Sequence, residues 1–235
     1  MTTAVRNANS RRFRIASLAV FVLVALSPFT ARAQFLHPKI TRNETTIRNV
    51  VIMPAKVEVM RDSMKGPEGM AAESELMSVR IAQVVTEALK AKHIGTLASV
   101  AVPSSSDAAQ KYSIADIQTR YDDLLPKIMK KRKDVKKGRF TMGDEVLNLN
   151  LDKSADAIVF IRGQGHKLSS GKKVFGLFVP VPDEFMSLSI GIIDARTGEV
   201  LLYTDPAAKG DPTRLGNTRL WKAIQKSLKK LPAVP

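Results

Sequence analysis

Residues 185–203, FMSLSIGIIDARTGEVLLY, constrain the fold more than any other part of this 235-residue chain. Met186, Leu188, Ile190 and Ile192 alternate with Ser187, Ser189 and Gly191, so an extended chain buries one face and turns a smaller, more polar one the other way. Asp194 is placed to accept a hydrogen bond from the backbone two residues on, and Gly198 to take the left-handed conformation that closes a short loop. Residues 199–204 then return as the partner strand.

The amino-terminal residues set the compartment. Arg6, Arg11, Arg12 and Arg14 precede an apolar run over residues 15–26; Ser27 and Pro28 end it, and Ala31-Arg32-Ala33 offers small residues at cleavage spacing. This is the pattern of a secretory signal peptide over residues 1–33, cut before Gln34. The run is shorter than the ~20 residues that span a bilayer. Ser10-Arg11-Arg12 echoes a twin-arginine signal, but Arg14 stands where that signal prefers an apolar residue. The expected location is across the inner membrane, in the periplasm, with outer-membrane association open.

The chain has 37 Lys plus Arg against 22 Asp plus Glu. Cleavage removes five arginines and no acidic residue, so the mature chain stays basic and favours an anionic partner surface. There are no cysteines, which excludes disulfides, thiolate nucleophiles, Cys-ligated zinc and a cysteine-linked lipid.

Along the mature chain, residues 34–47 lack periodicity and are expected to form a linker. NVVIMPAKVEV from Asn49 reads as a first strand that bends or lies at an edge at Pro54, since proline has no N–H for a ladder. Residues 62–69, with Gly66, Pro67 and Gly69, read as a loop. Met77, Ile81, Val84, Val85, Ala88 and Leu89 recur at helical spacing and predict a helix over 71–92 with Gly95 beyond its end. Residues 96–102 predict a strand, and PSSSD at 103–107 a turn. Ser113 with Asp116 suggests the start of a second helix carrying Ile114, Ile117, Tyr121, Leu124, Leu125 and Ile128, kinked at Pro126. A short helix is expected over 144–152 and a central strand at AIVFIR, 157–162. The spacing of Leu215, Leu220, Trp221, Ile224, Leu228 and Leu231 predicts an amphipathic closing helix. The expected domain, 48–235, is a single α/β unit with a mixed sheet of about five strands covered by helices.

NVVIMPAKVEV, RIAQVVTEALKAKHIG, ADAIVFIRGQG, SLSIGIIDARTGEVLLY and AIQKSLKKLP together resemble the periplasmic family that contains the curli-secretion lipoprotein, the penicillin-binding-protein activator lipoprotein and the amino-terminal domain of the Tol translocation protein. The resemblance spans about residues 48 to 231. It implies a binding and assembly role at the cell envelope without catalysis. The chain differs from the lipoprotein members in having no cysteine after the signal.

Two segments stand out as candidate binding elements. Lys127, Lys130, Lys131, Lys133, Lys136 and Lys137, with Arg132 and Arg139, are opposed by Asp134 alone. They form either an anion-binding projection or a solvated helix end. No aromatic residue interleaves them before Phe140, which disfavours stacking on nucleic-acid bases. Residues 174–181, VFGLFVPV, form an apolar flap in which Val174, Phe175, Leu177, Phe178 and Val179 would dock on a partner or a membrane face, or else pack on the sheet.

Catalytic and cofactor patterns do not appear. Ser170-Gly171-Lys172-Lys173 lacks the spacing and following hydroxyl of a phosphate loop. His37, His93 and His166 are not at metal-ligand spacing. Asp122-Asp123 and Asp183-Glu184 are sequence neighbours whose side chains diverge, and there is no Gly-x-Ser-x-Gly elbow. The expectation is therefore a non-enzyme without cofactor or metal that binds an envelope protein partner. Binding of anionic lipid or polymer through residues 127–139 is the alternative, and an envelope hydrolase with a site assembled in space is a third. Oligomeric state stays open.

Overall fold

The computed structural model describes residues 34–97, 108–149, 151–176, 183–214 and 216–234, with the side chains of 108–113 and of Phe175 outside that description. The strands are β1 (Phe35–Leu36), β2 (Asn49–Ile52), β3 (Lys56–Ser63), β4 (Gly66–Gly69), β5 (Gly95–Thr96), β6 (Ala157–Leu168), β7 (Phe185–Asp194), β8 (Val200–Thr204) and β9 (Ala207–Lys209). The helices are α1 (Pro38–Thr41), α2 (Ala71–Lys90), α3 (Ala108–Lys130), α4 (Ser170–Phe175) and α5 (Thr218–Ser227); two 3-10 turns occupy Arg132–Lys137 and Asp144–Leu149.

The described strands join one mixed sheet of nine, ordered β1-β8-β7-β6-β2-β5, with β3 and β4 continuing beside β6, and β9 beside β7. That exceeds the five expected from sequence, because several strands are too short to show a period. The run from Asn49 is one extended segment interrupted at Met53–Pro54–Ala55: β2 pairs parallel with residues 157–159 of β6 and β3 with residues 162–168. Pro54 breaks the ladder as its missing N–H requires.

Strand alternation divides the core in two. On one face Val50, Val57, Val159, Ile161, Leu188 and Ile190 pack against the stripe of α2 and against Leu220 and Ile224 of α5. On the other, Val51, Met53, Ile158, Phe160 and Ile193 pack against Ile117, Tyr121, Leu124 and Ile128 of α3. β6 is buried on both faces from Ala157 to Ile161, which is why its sequence reads as an unbroken apolar run.

The hairpin forms as the sequence predicts. Asp194 Oδ1 accepts the N–H groups of Arg196 and Thr197 at 2.8 and 2.9 Å, and Gly198 has φ +69°. A side chain at 198 would also collide with the Gly143 carbonyl.

Other segments differ from expectation. Residues 62–69 are a tight hairpin, not a loop: Ser63 pairs with Gly66 and Met60 with Gly69. α3 starts at Ala108, so Ser113 lies inside it, and the helix runs through Pro126. Residues 144–149 make a 3-10 turn held by Val146 and Leu149. The expected linker, 34–47, is part of the domain: β1 pairs with β8, and Gln34, Phe35, His37, Ile40 and Ile47 are buried. Its apolar residues are too sparse for a sequence period, yet Phe35 joins the core beneath α3, and Ile40 and Ile47 join the core beneath α2 and α5. The expected strand at 98–102 and turn at 103–107 lie outside the described residues.

Candidate functional site

The basic run divides at Lys131. Lys127 and Lys130 end α3, and residues 132–137 coil back in the 3-10 turn, capped by Gly138 at φ +65°. The run has an apolar anchor that its sequence hides: Val135, fully buried, follows Ile128 into the core beneath α3. Around that anchor Arg132 Nη1 meets Asp205 Oδ2 at 2.5 Å, with the Asp205 side chain 5% exposed. Lys137 and Arg139 share Asp134 at 3.5 and 3.7 Å. Lys136 Nζ lies 5.7 Å from the centroid of the Phe35 ring. Lys127, Lys130, Lys131 and Lys133 are exposed, without a carboxylate at ion-pair distance among the described residues. The run is thus a set of outward lysines on the end of α3 and on a following turn pinned by Val135 and the Arg132–Asp205 ion pair.

Beside it His37 is 4% exposed. Its Nδ1 accepts the Lys39 N–H at 3.2 Å, and its Nε2 faces Gly138 without a hydrogen-bond partner. Burial pushes this imidazole below its ordinary value, partly offset by Glu199. Glu199 is in turn held low by its hydrogen bond from Lys39.

Under the middle of α3 lies a polar cluster. Arg162 Nε donates to Asp122 Oδ1 at 2.5 Å, and Lys56 Nζ reaches Asp122 Oδ2 at 3.2 Å. Tyr121 stacks on Phe160 with centroids 4.4 Å apart beneath the Arg162 guanidinium. Its hydroxyl is buried without a hydrogen-bond partner, and burial raises its pKa strongly.

Beyond this cluster β3, β6, β7 and β9 continue. Register sets Met60 beside His166, His166 beside Phe185 and Phe185 beside Lys209, a row across four strands. Glu58, Gln164, Ser187 and Ala207 form the next row. The His166 and Phe185 rings stack at 4.8 Å, and His166 Nδ1 lies 3.8 Å from Asp62 Oδ2. Glu58 and Gln164 are exposed, while Met60, His166 and Phe185 are half-buried. Sequence reading missed this platform, whose signal was the polar alternation of β7; the partner strands were needed to show which residues stand beside it.

Of the apolar flap, Val174 is 59% exposed and Phe175 ends α4, whereas Leu177, Phe178 and Val179 lie outside the described residues. The residues of the rejected phosphate loop lie in α4, where Ser169 Oγ accepts the Lys172 N–H. His37, His93 and His166 do not converge, and among the described residues no group of three His, Asp or Glu side chains is arranged to hold a metal. A shallow cavity of about 420 Å³ lies beside the hairpin loop, lined by Leu147, Leu151, Asp152, Lys153 and Arg196 among others. Another of about 210 Å³ lies among Ile40, Asn43, Thr45, Ile47 and Leu231. Among the described residues no helix is long and apolar enough to cross a membrane.

No protein-family model matches the chain, and none of the curated proteins does. Among solved structures, it is similar to the PelC dodecamer from Paraburkholderia phytofirmans at 10% identity and a TM-score of 0.43, over 87% of this chain and 98% of that one. It is also similar to lipoprotein GNA1162 from Neisseria meningitidis at 11% identity and a TM-score of 0.37, over 78% of this chain and 95% of that one.

Proposed function

We propose that this is a secreted, non-catalytic protein of the bacterial envelope that binds a protein partner and helps assemble or regulate an envelope complex. The observation that carries the reading is the platform of Met60, His166, Phe185 and Lys209, backed by exposed Glu58 and Gln164. A methionine and a stacked aromatic pair bordered by polar groups is the composition of a protein interface core and rim. The signal-peptide pattern supports secretion, and the resemblance of residues 48 to 231 to periplasmic assembly proteins supports the role.

A photo-cross-linking residue at position 164, compared with one at exposed position 75 on α2, tests the reading in expressing cells. A discrete adduct from 164 alone supports it. No adduct, or the same adduct from both positions, overturns the platform as the docking site.

A second reading rests on the pinned basic turn. Lysines held outward on a fixed scaffold recruit an anionic polymer or lipid with little ordering cost, and such binding weakens steeply as salt rises. A largely apolar protein contact persists in salt, so the wash condition that releases the protein separates the readings.

A further inference from the structure

The basic turn is half of a larger feature. β1 is the outermost strand at one end of the sheet order, and its neighbourhood joins two lysine-rich segments some ninety residues apart. On one side Phe35 meets Lys136. On the other, Gln34 Nε2 donates to the Lys226 carbonyl at 2.6 Å and Gln34 Oε1 accepts the Lys230 N–H at 2.9 Å. Phe35 belongs to the core beneath α3 and Leu36 packs against the core beneath α2 and α5, so the two segments flank opposite faces of one sheet margin. Lys131, Lys133 and Lys136 on one flank and Lys226, Lys229 and Lys230 on the other are all exposed. Among the described residues none of the six has a carboxylate at ion-pair distance.

We propose that this two-flanked margin is a peripheral docking surface for an anionic phospholipid bilayer. The proposal rests on the anion-binding reading above and names its partner. Three features favour a bilayer over a polymer. The lysines border a protruding edge, and neither described cavity is lined by them. All six are lysines, point charges suited to a diffuse anionic plane, where arginine forks would suit individual phosphates. Met129, 46% exposed, stands among the lysines of one flank, an apolar side chain available to the acyl boundary. Gln34, the first residue after the predicted cleavage point, lies in this margin.

The test is sedimentation of the secreted, processed protein with vesicles of phosphatidylglycerol and phosphatidylethanolamine, against pure phosphatidylcholine, at several salt concentrations. Two triple variants, K131Q/K133Q/K136Q and K226Q/K229Q/K230Q, are compared with K65Q, thermal melts confirming that each folds. The expected result is salt-sensitive binding to the anionic vesicles alone, lowered on the order of 100-fold by either triple variant and unchanged by K65Q. Loss in the first triple variant alone overturns the two-flanked margin but keeps the basic-turn reading. Wild-type binding to soluble polyphosphate but not to vesicles overturns the bilayer and keeps the anionic polymer. Binding to neither overturns both.

Discussion

Gly138 and His37 meet so closely that a Cβ at position 138 would stand 2.5 Å from His37 Nε2. The contact fastens the amino-terminal segment to the end of the basic turn, and it exists only because residue 138 has no side chain and a left-handed backbone. Two of the three predictions that follow come from this pair.

Gly138→Ala introduces a left-handed alanine, worth about 1–2 kcal/mol, and a clash that moves the buried imidazole. The expected loss is about 2–3 kcal/mol, read by urea unfolding monitored at Trp221. A loss below about 0.5 kcal/mol would mean that His37 withdraws freely and the contact holds nothing.

Stability should fall as the medium is acidified through the histidine range. Burial lowers the His37 pKa in the fold below its ordinary 6.5, so between the two values the unfolded chain binds the extra proton. Its contribution is therefore complete above about pH 6.5 and is lost as pH falls toward the folded value. Melting temperatures from pH 8 to pH 5 should decline, and His37→Gln should flatten the decline. The depressed carboxyl of Glu199 adds a further loss at lower pH, which His37→Gln leaves in place.

Tyr121 and Gly191 form a coupled pair. The hydroxyl buried without a hydrogen-bond partner makes Tyr121→Phe neutral or stabilising by up to about 1 kcal/mol, with the Phe160 stack retained. Gly191→Ala places a Cβ 2.5 Å from that hydroxyl and 2.8 Å from Cε2, for an expected cost of about 2 kcal/mol. The double variant should recover part of that cost but not all, because the ring edge remains. A double-mutant cycle with no coupling would show that the helix shifts as a unit instead.

Much of the scaffold is legible in the residues. The alternation of Met186, Leu188, Ile190 and Ile192 and the helical stripe of Met77, Ile81, Val84 and Leu89 each name a buried face, because the periods of strand and helix are local properties of the chain. Asp194 and Gly198 specify their turn for the same reason. β1 and β4 are not legible, since a two-residue strand has no period and Gly66–Gly69 carries turn residues. They are strands because a neighbour completes their ladder. Val135 is similarly hidden: one valine among lysines marks no face until Ile128 and the sheet below it are in place.

The candidate sites divide along the same line. The sequence by itself determined that lysines concentrate at 127–139, that β7 has a polar face and that an apolar leader pattern precedes Gln34. Charge and alternation need only neighbours in the chain. The tertiary structure decided what those features face. Strand register sets His166 beside Phe185, and Val135 pins the basic turn; Gln34 and Phe35 bring Lys226 and Lys136 to opposite sides of one margin. Such juxtapositions depend on contacts between residues up to 196 positions apart in the chain, and side-chain chemistry specifies them only once the whole sheet has closed.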